Sequence, residues 1–271
     1  MRMKYKHVFT CFPGGKHKAL TMSYDDGKLE DERLVALFNK YGIKGTFNIN
    51  SGIYEDERRL PMETYRELYK GHEVACHTAC HPTISRCPLE QVVEEVMDDR
   101  KELEKLMGYP VRGLAYPNGS HTKEIRELLP SLGIKYGRIV GDTHDFGIPE
   151  DFYAWQATCH HSHNLLEDGQ RFVDLHKTQY LYLMYVWGHS YEFRTEEDWK
   201  LIEDFCKLAG GQEDIWYATN IEIVDYLEDA KRLQFSADCS MVYNPNARSI
   251  YLQVGNDFVE VKGGTTAHLP V

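Results

Sequence analysis

Residues that can bind a metal or move a proton recur along this chain where short apolar runs stop. Residues 19–24 form such a run and end in Asp25-Asp26-Gly27. Residues 73–77 end in His77, with His81 four positions on. Residues 112–117 start at Arg112 and lead into Tyr116-Pro117-Asn118-Gly119, and the run YLYLMYVW (180–187) leads into Gly188-His189. Each signal alone is commonplace, since Asp-Asp-Gly is an ordinary turn and a chain with 13 histidines holds chance His-x-x-x-His pairs. Their common placement at the ends of apolar runs is what points to chemistry. Two imidazoles and one carboxylate make an open ligand set for a divalent ion, zinc being one candidate. A second carboxylate beside them can take a proton from water. Asp25 and Asp26 can divide these tasks only if the strand has ended there, because adjacent strand residues face opposite ways. Gly27 is consistent with a turn at that point.

The elements that would hold these residues alternate. Strands are expected over 19–24, 45–50, 73–77, 112–117, 135–140, 180–187 and 214–218. Helices are expected over 32–41, 62–70, 88–107 and 123–132, then from Thr195 onwards and from an Asn220 cap to about 233. The clearest is 88–107, where Leu89, Val92, Val93, Val96, Leu103, Leu106 and Met107 form an apolar stripe stopped by Gly108 and Pro110. About seven strands separated by helices imply a parallel sheet, either closed into a barrel or open and doubly wound. In a barrel, the C-terminal strand ends would bring the polar residues to one rim. No glycine-rich loop follows the first strand, which argues against a nucleotide site. Residues 1–233 are expected to form the main domain. Residues 234–271, with short alternating runs and Asn-Pro-Asn and Gly-Asn-Asp turns, are expected to form a small β appendage packed on it.

The chain has 271 residues, 42% hydrophobic and 27% charged, which suits a globular domain of this size. Its net charge of −11 argues against nucleic acid and anionic membrane as partners. No long apolar run follows the basic N-terminal residues, and seven scattered cysteines need no disulfide framework. The expectation is a cytoplasmic protein with reduced thiols; the oligomeric state is not legible.

At this point the motifs resemble those of the polysaccharide deacetylases, carbohydrate esterase family four, over about residues 18–220. Ser23-Tyr-Asp-Asp-Gly27 resembles the first motif, His77-Thr-Ala-Cys-His81-Pro82 the second, Arg112-Gly-Leu-Ala-Tyr-Pro-Asn-Gly119 the third, and Tyr182-Leu-Met-Tyr-Val-Trp-Gly-His189 the fifth. The resemblance implies an α/β fold, a distorted (β/α)7 barrel. It implies a metal-dependent hydrolase that removes acetyl groups from an N-acetylated amino sugar or an acetylated oligo- or polysaccharide. One divalent ion, zinc first, with cobalt, nickel or manganese also suited, would be held by Asp26, His77 and His81. Asp25 would be the base, oriented by Arg112; Tyr116 would offer its backbone N–H to the oxyanion; His189 would be the acid.

Two departures stand out. The fourth motif, Asp-x-x-Asp-Trp, has its nearest match in Asp151-Phe-Tyr-Ala154-Trp155, with Ala154 where the acid's partner would stand. Glu192 and Asp151 are the candidates to replace it. The third motif reads Tyr-Pro-Asn-Gly instead of Pro-Pro-Tyr-Gly. Trp155, Trp187, His160 and Asn118 are candidates for the substrate rim. Three rival readings remain: a metal hydrolase using His161-Ser-His163, a structural metal or haem site at Cys76–His81, and a catalytically inactive carbohydrate-binding protein.

Overall fold

The computed structural model describes residues 7–53 and 57–270. After an N-terminal strand β1 (Val8–Cys11), eight strands run parallel: β2 (Lys18–Asp25), β3 (Gly45–Ile49), β4 (Glu73–Cys76), β5 (Gly113–Ala115), β6 (Tyr136–Asp142), β7 (Trp155–Ala157), β8 (Cys159–His160) and β9 (Tyr182–His189). Their order in the sheet is β7-β6-β5-β4-β3-β2-β9-β8. The two ends of this path are one piece of chain. β7 pairs with β6 and β8 pairs with β9, and only Thr158 lies between them. Thr158 N–H donates to the Tyr185 carbonyl at 2.8 Å, and its Oγ1 accepts from Tyr185 N at 3.0 Å. Residues 155–160 therefore close the sheet into a distorted seven-membered barrel. A further short strand, β10 (Ile215–Tyr217), pairs with the first half of β2.

The helices follow from side-chain spacing. In α1 (Asp31–Tyr41), Leu34, Val35, Leu37 and Phe38 are buried, and Gly42 stops the helix with a left-handed φ of 68°. In α3 (Leu89–Met107), Val92, Val96, Leu103 and Met107 are buried and Gly108 ends it in the same way. The helix expected over 62–70 is shorter: a 3-10 turn at Met62–Thr64 and then α2 (Tyr65–Leu68). The others are α4 (Lys123–Leu128), α5 (Leu165–Val173), α6 (Glu196–Ala209) and α7 (Asn220–Lys231). Thr195 and Thr219 cap α6 and α7, each with a reciprocal acidic partner, Asp198 and Glu222. Asn220, expected as a cap, is instead buried under the barrel. Its Oδ1 accepts from Thr21 at 2.8 Å and its Nδ2 donates to Tyr185 Oη at 2.7 Å.

Side-chain alternation splits each strand between two environments. Leu20, Met22, Tyr24, Phe47, Ile49, Val74 and Cys76 join the main apolar core. Their neighbours Thr21, Ser23, Asp25, Thr46, Asn48, Glu73 and Arg138 are equally buried and polar. Burial of so many polar groups requires partners, and these are found across the barrel. Glu73 accepts from Thr46, Tyr136 and the Ile221 amide at the start of α7, all at 2.9 Å.

The C-terminal segment forms two three-stranded antiparallel sheets, with β11 (Gln234–Phe235), β12 (Met241–Tyr243) and β15 (Thr266–His268) in one. The other joins β13 (Ile250–Val254) and β14 (Asp257–Val261) to β1. Tyr226 of α7 ties this sheet to the barrel, donating to the Cys11 carbonyl at 2.6 Å and accepting from Tyr251 N at 3.0 Å.

Candidate active site

β2 ends at Asp25 because the next two residues leave the strand. Asp26 has φ 81° and Gly27 φ 62°. A side chain at Gly27 would lie 2.8 Å from Ile49. Asp is among the few residues that tolerate this backbone region. The turn leaves Asp25 pointing into the barrel and fully buried, while Asp26 turns over the rim. His77 follows β4 directly. Its Nδ1 lies 2.8 Å from the Ala115 carbonyl, which fixes the ring hydrogen there and frees Nε2. Its amide donates to Asp99 of α3 at 2.9 Å. Thr78 and His81 have φ of 60° and 59°, so the chain coils tightly and returns His81 to within 4.7 Å of the His77 ring. Asn50, Glu95 and Gly52 hold this coil through backbone bonds.

Ligand atoms of Asp26, His77 and His81 all lie within 4.8 Å of one another. The set is two imidazole nitrogens and one carboxylate oxygen, with one oriented histidine, and it fits a divalent ion of the zinc type. Burial lowers the His77 pKa to about 4, so this ligand is neutral at physiological pH, as metal binding requires. Asp25 sits beside the set, its Oδ2 3.7 Å from His77 Nε2 and 3.8 Å from His189 Nε2. Asn48 donates to Asp25 at 2.8 Å, and Arg138 Nη2 donates to both carboxylate oxygens. Burial alone would raise the Asp25 pKa. The Arg138 guanidinium, with smaller contributions from His77 and His189, outweighs it and holds the group below the ordinary carboxylate range.

The arginine beside Asp25 is not Arg112. That residue precedes β5 and so lies at the opposite end of the barrel, paired with Asp225 of α7 through two bonds of 2.8 Å. Arg138, in the middle of β6, does what was expected of it. The sequence carried a signal for this: Tyr136 and Arg138 share one face of an otherwise small and apolar strand. A charge placed there needs a buried partner. Tyr116 is also displaced from its expected role. Its amide is taken by the Arg138 carbonyl at 3.0 Å and its hydroxyl by the Tyr153 carbonyl at 2.7 Å, so neither faces a substrate.

His189 ends β9, and Glu192 lies in the following 3-10 turn. Glu192 Oε1 lies 3.4 Å from His189 Nδ1, and its Oε2 accepts from the His189 amide at 3.2 Å. Burial would lower the His189 pKa; Glu192 first, then Asp25, raise it above the usual histidine value. Asp151 does not reach this site. It binds Arg126 at 2.8 Å and caps residues 152–154, so Ala154 stands before β7 and away from His189. Of the proposed rim residues, Trp155 is 1% exposed and packs against Tyr136, Phe152 and Tyr185, a core position. Trp187 is 8% exposed, lies under the Arg138 guanidinium and donates to Asp142 at 3.2 Å. His160 is buried against Glu192, and exposed Asn118 donates to Thr83 at 3.1 Å. Cys76 is buried in the core and Cys80 exposed, both as free thiols outside the ligand cluster.

The parallel α/β barrel thus gathers a buried carboxylate, Asp25, a partly buried histidine, His189, and the cluster Asp26, His77 and His81 at the C-terminal strand ends. Residues 13–137, just under half of the chain, match the family model of the polysaccharide deacetylases. The chain is 23% identical over 133 residues to the peptidoglycan-N-acetylglucosamine deacetylase PgdA of Listeria monocytogenes, covering 48% of this chain and 27% of that protein. It is 24% identical over 111 residues to the peptidoglycan-N-acetylmuramic acid deacetylase PdaC of Bacillus subtilis, covering 40% and 23%. The chain thus matches only about a quarter of the length of these relatives. Among solved structures, a Mycobacterium smegmatis protein assigned to the polysaccharide deacetylases aligns with TM-score 0.62 at 15% identity, over 81% of this chain and 93% of that one. BA3943 of Bacillus anthracis, a pseudoenzyme of carbohydrate esterase family four, aligns at 0.54 and 15%, over 82% and 68%. At such identities the likeness speaks for the fold.

Proposed function

We propose that the chain is a metal-dependent deacetylase acting on an N-acetylated amino sugar or an acetylated oligo- or polysaccharide. The carrying observation is that Asp25, buried and held ionised by Arg138, adjoins the open cluster Asp26, His77 and His81 on one side and His189 on the other. A divalent ion held by that cluster, zinc first among candidates, would polarise the acetyl carbonyl and acidify an attacking water. Asp25 takes the proton of the attacking water as the new C–O bond forms at the acetyl carbon. Its low pKa keeps it ready to accept one at neutral pH. His189 gives a proton to the leaving nitrogen or oxygen as the bond to the acetyl carbon breaks, yielding acetate and an amine or hydroxyl. Glu192 supports the charged form of His189, in place of the carboxylate that Ala154 lacks. The named activities of PgdA and PdaC favour an N-acetylated sugar as substrate. We treat residues 1–233 as the catalytic unit and 234–271 as an appendage to it.

The test is metal content together with acetate release from N-acetylglucosamine oligomers, before and after chelation and reloading. About one metal per chain and chelator-sensitive release are expected, and Asp26→Ala should lose both. Metal without acetate release, across N- and O-acetylated oligomers, would favour an inactive carbohydrate-binding member, for which BA3943 is a precedent on this fold. No metal after reloading would remove the proposed roles of Asp26, His77 and His81.

A further inference from the structure

Beside the acid lies a second cluster that the proposed reaction does not use directly. His160, His161 and Glu192 bring ligand atoms within 4.8 Å of one another, next to a cavity of about 410 Å³ also lined by Ser162, Arg194 and Asp198. Its donor set copies that of the first cluster, so the hydrogen positions decide what it is. The Ser162 amide points at His160 Nδ1 at 3.2 Å, which makes Nδ1 an acceptor and leaves the ring hydrogen on Nε2. That hydrogen faces Glu192 Oε2 at 3.0 Å. His161 Nε2 lies 3.3 Å from the same oxygen. Its Nδ1 is buried without a partner, against Gly188, where even a methyl group would come within 2.0 Å. A metal on His161 Nε2 would force the hydrogen onto Nδ1, where nothing accepts it. Ligating histidines normally donate that hydrogen, as His77 does to Ala115. The cluster is therefore built to hold the carboxylate, with His160 as hydrogen-bond donor and His161 at ion-pair distance.

We propose that His160 is a positioning residue for the general acid. Together with His161 it clamps the Glu192 carboxylate that holds His189, so that the acid operates as three imidazoles around one carboxylate. This rests on the deacetylase reading and deepens it. The clamp is rigid on each side. The His160 amide donates to Asp142 at 2.8 Å, and its ring stands edge-on to Trp187 at 4.7 Å. The His161 ring is stacked between Tyr24 at 5.7 Å and Phe193 at 4.4 Å. Glu192 itself is part-exposed on a short turn, and a lone carboxylate there would have other rotamers open to it. The groups facing His189 are Asp25 and Asp26 from the end of β2, Trp187 from β9, Tyr191 and Glu192 from its own turn, and His160 from β8. Among the described ion pairs only Glu192 approaches its Nδ1, at the ion-pair distance of 3.4 Å and without hydrogen-bond geometry.

Two substitutions separate the clamp from other roles. His160→Asn keeps a polar atom near Ser162 and loses the reach to Glu192; His160→Gln restores a donor at about the Nε2 position. In the metal-loaded full chain, the His189 ring is titrated by NMR with labelled histidine, and acetate release is followed against pH. His160→Asn should lower kcat about 10-fold with KM unchanged, and should move the His189 titration and the alkaline limb of kcat down by about one pH unit. His160→Gln should recover most of both changes. A raised KM with unchanged kcat and titration would make His160 a substrate contact and overturn the proposal. So would a second metal equivalent lost in both variants, or equal losses in both with no shift of His189. If the wild type releases no acetate, the deacetylase reading fails on its own, and the NMR titration still reports whether His160 acts on His189.

Discussion

Asp25 shows how a single buried carboxylate is kept in working form. Its burial opposes ionisation, and one guanidinium placed within bonding reach reverses that balance. Replacing Arg138 with Gln should leave Asp25 buried beside the uncharged amide. Its pKa should then rise, and the acidic limb of kcat/KM should move to higher pH, with kcat near neutrality falling by about 100-fold or more. Arg138→Lys should lie between, since an ammonium keeps the charge and loses the planar fork. Arg112→Ala should leave the rate profile in place and cost at most about 1 kcal/mol in stability, because its partner is Asp225 at a partly exposed surface. An unshifted acidic limb in Arg138→Gln, or a collapsed rate in Arg112→Ala, would return the role to Arg112. The residues of this site were legible to differing depths. Asp25 and His189 end strands, Asp26 and His77 follow strand ends directly, and His81 lies in the coil after His77, so the pattern of apolar runs points to all five. Glu192 was one of two candidates named beside His189, but Arg138 lies off the motif on β6, and only the folded barrel shows which charge faces which.

The same limit applies to elements. Long periodic segments such as α3, and the β-prone run of β9, fall where their side-chain spacing says. The closing strand was not legible: β7 and β8 have three and two residues, interrupted by Thr158, in a stretch that reads as polar. Tertiary pairing with β6 and β9 makes it a strand, and its closure is what brings His160 beside Glu192 and His189. The β5–β6 pair shows the steric side of such closeness. Gly113 and Tyr136 are register partners, and a methyl group at 113 would fall 2.1 Å from the Tyr136 hydroxyl. Gly113→Ala should therefore destabilise the chain by about 1–3 kcal/mol through overpacking, read as a lower denaturation midpoint with an unchanged slope. It should also pull Tyr136 away from Glu73. A fully stable Gly113→Ala protein would mean that the barrel interior yields more readily than its packing indicates.

For the molecule as a whole, the polar interior links the two ends of the barrel. At the rim it carries the candidate site; at the other end Glu73 joins β3, β4, β6 and the start of α7 through three accepted hydrogen bonds. Burial is the largest influence on Glu73 and raises its pKa from 4.5 to about 7, against the hydrogen bonds that favour the ionised form. A carboxyl whose folded pKa lies above its unfolded one binds its proton more tightly when folded. Its contribution to stability is complete below about pH 4.5 and is lost as the pH rises through about 7. Asp31 and Asp99, both buried and both raised to about 7, add to the same slope. Glu73→Gln keeps a carbonyl oxygen to accept from Ile221 and Thr46, and its amide can donate to the Tyr136 oxygen. Relative to the wild type, Glu73→Gln should therefore gain melting temperature between pH 5 and pH 8, its advantage growing as the pH rises. Parallel melting curves for the two proteins across that range would show that Glu73 is charged at neither end or at both, and that the anchor of α7 is indifferent to pH.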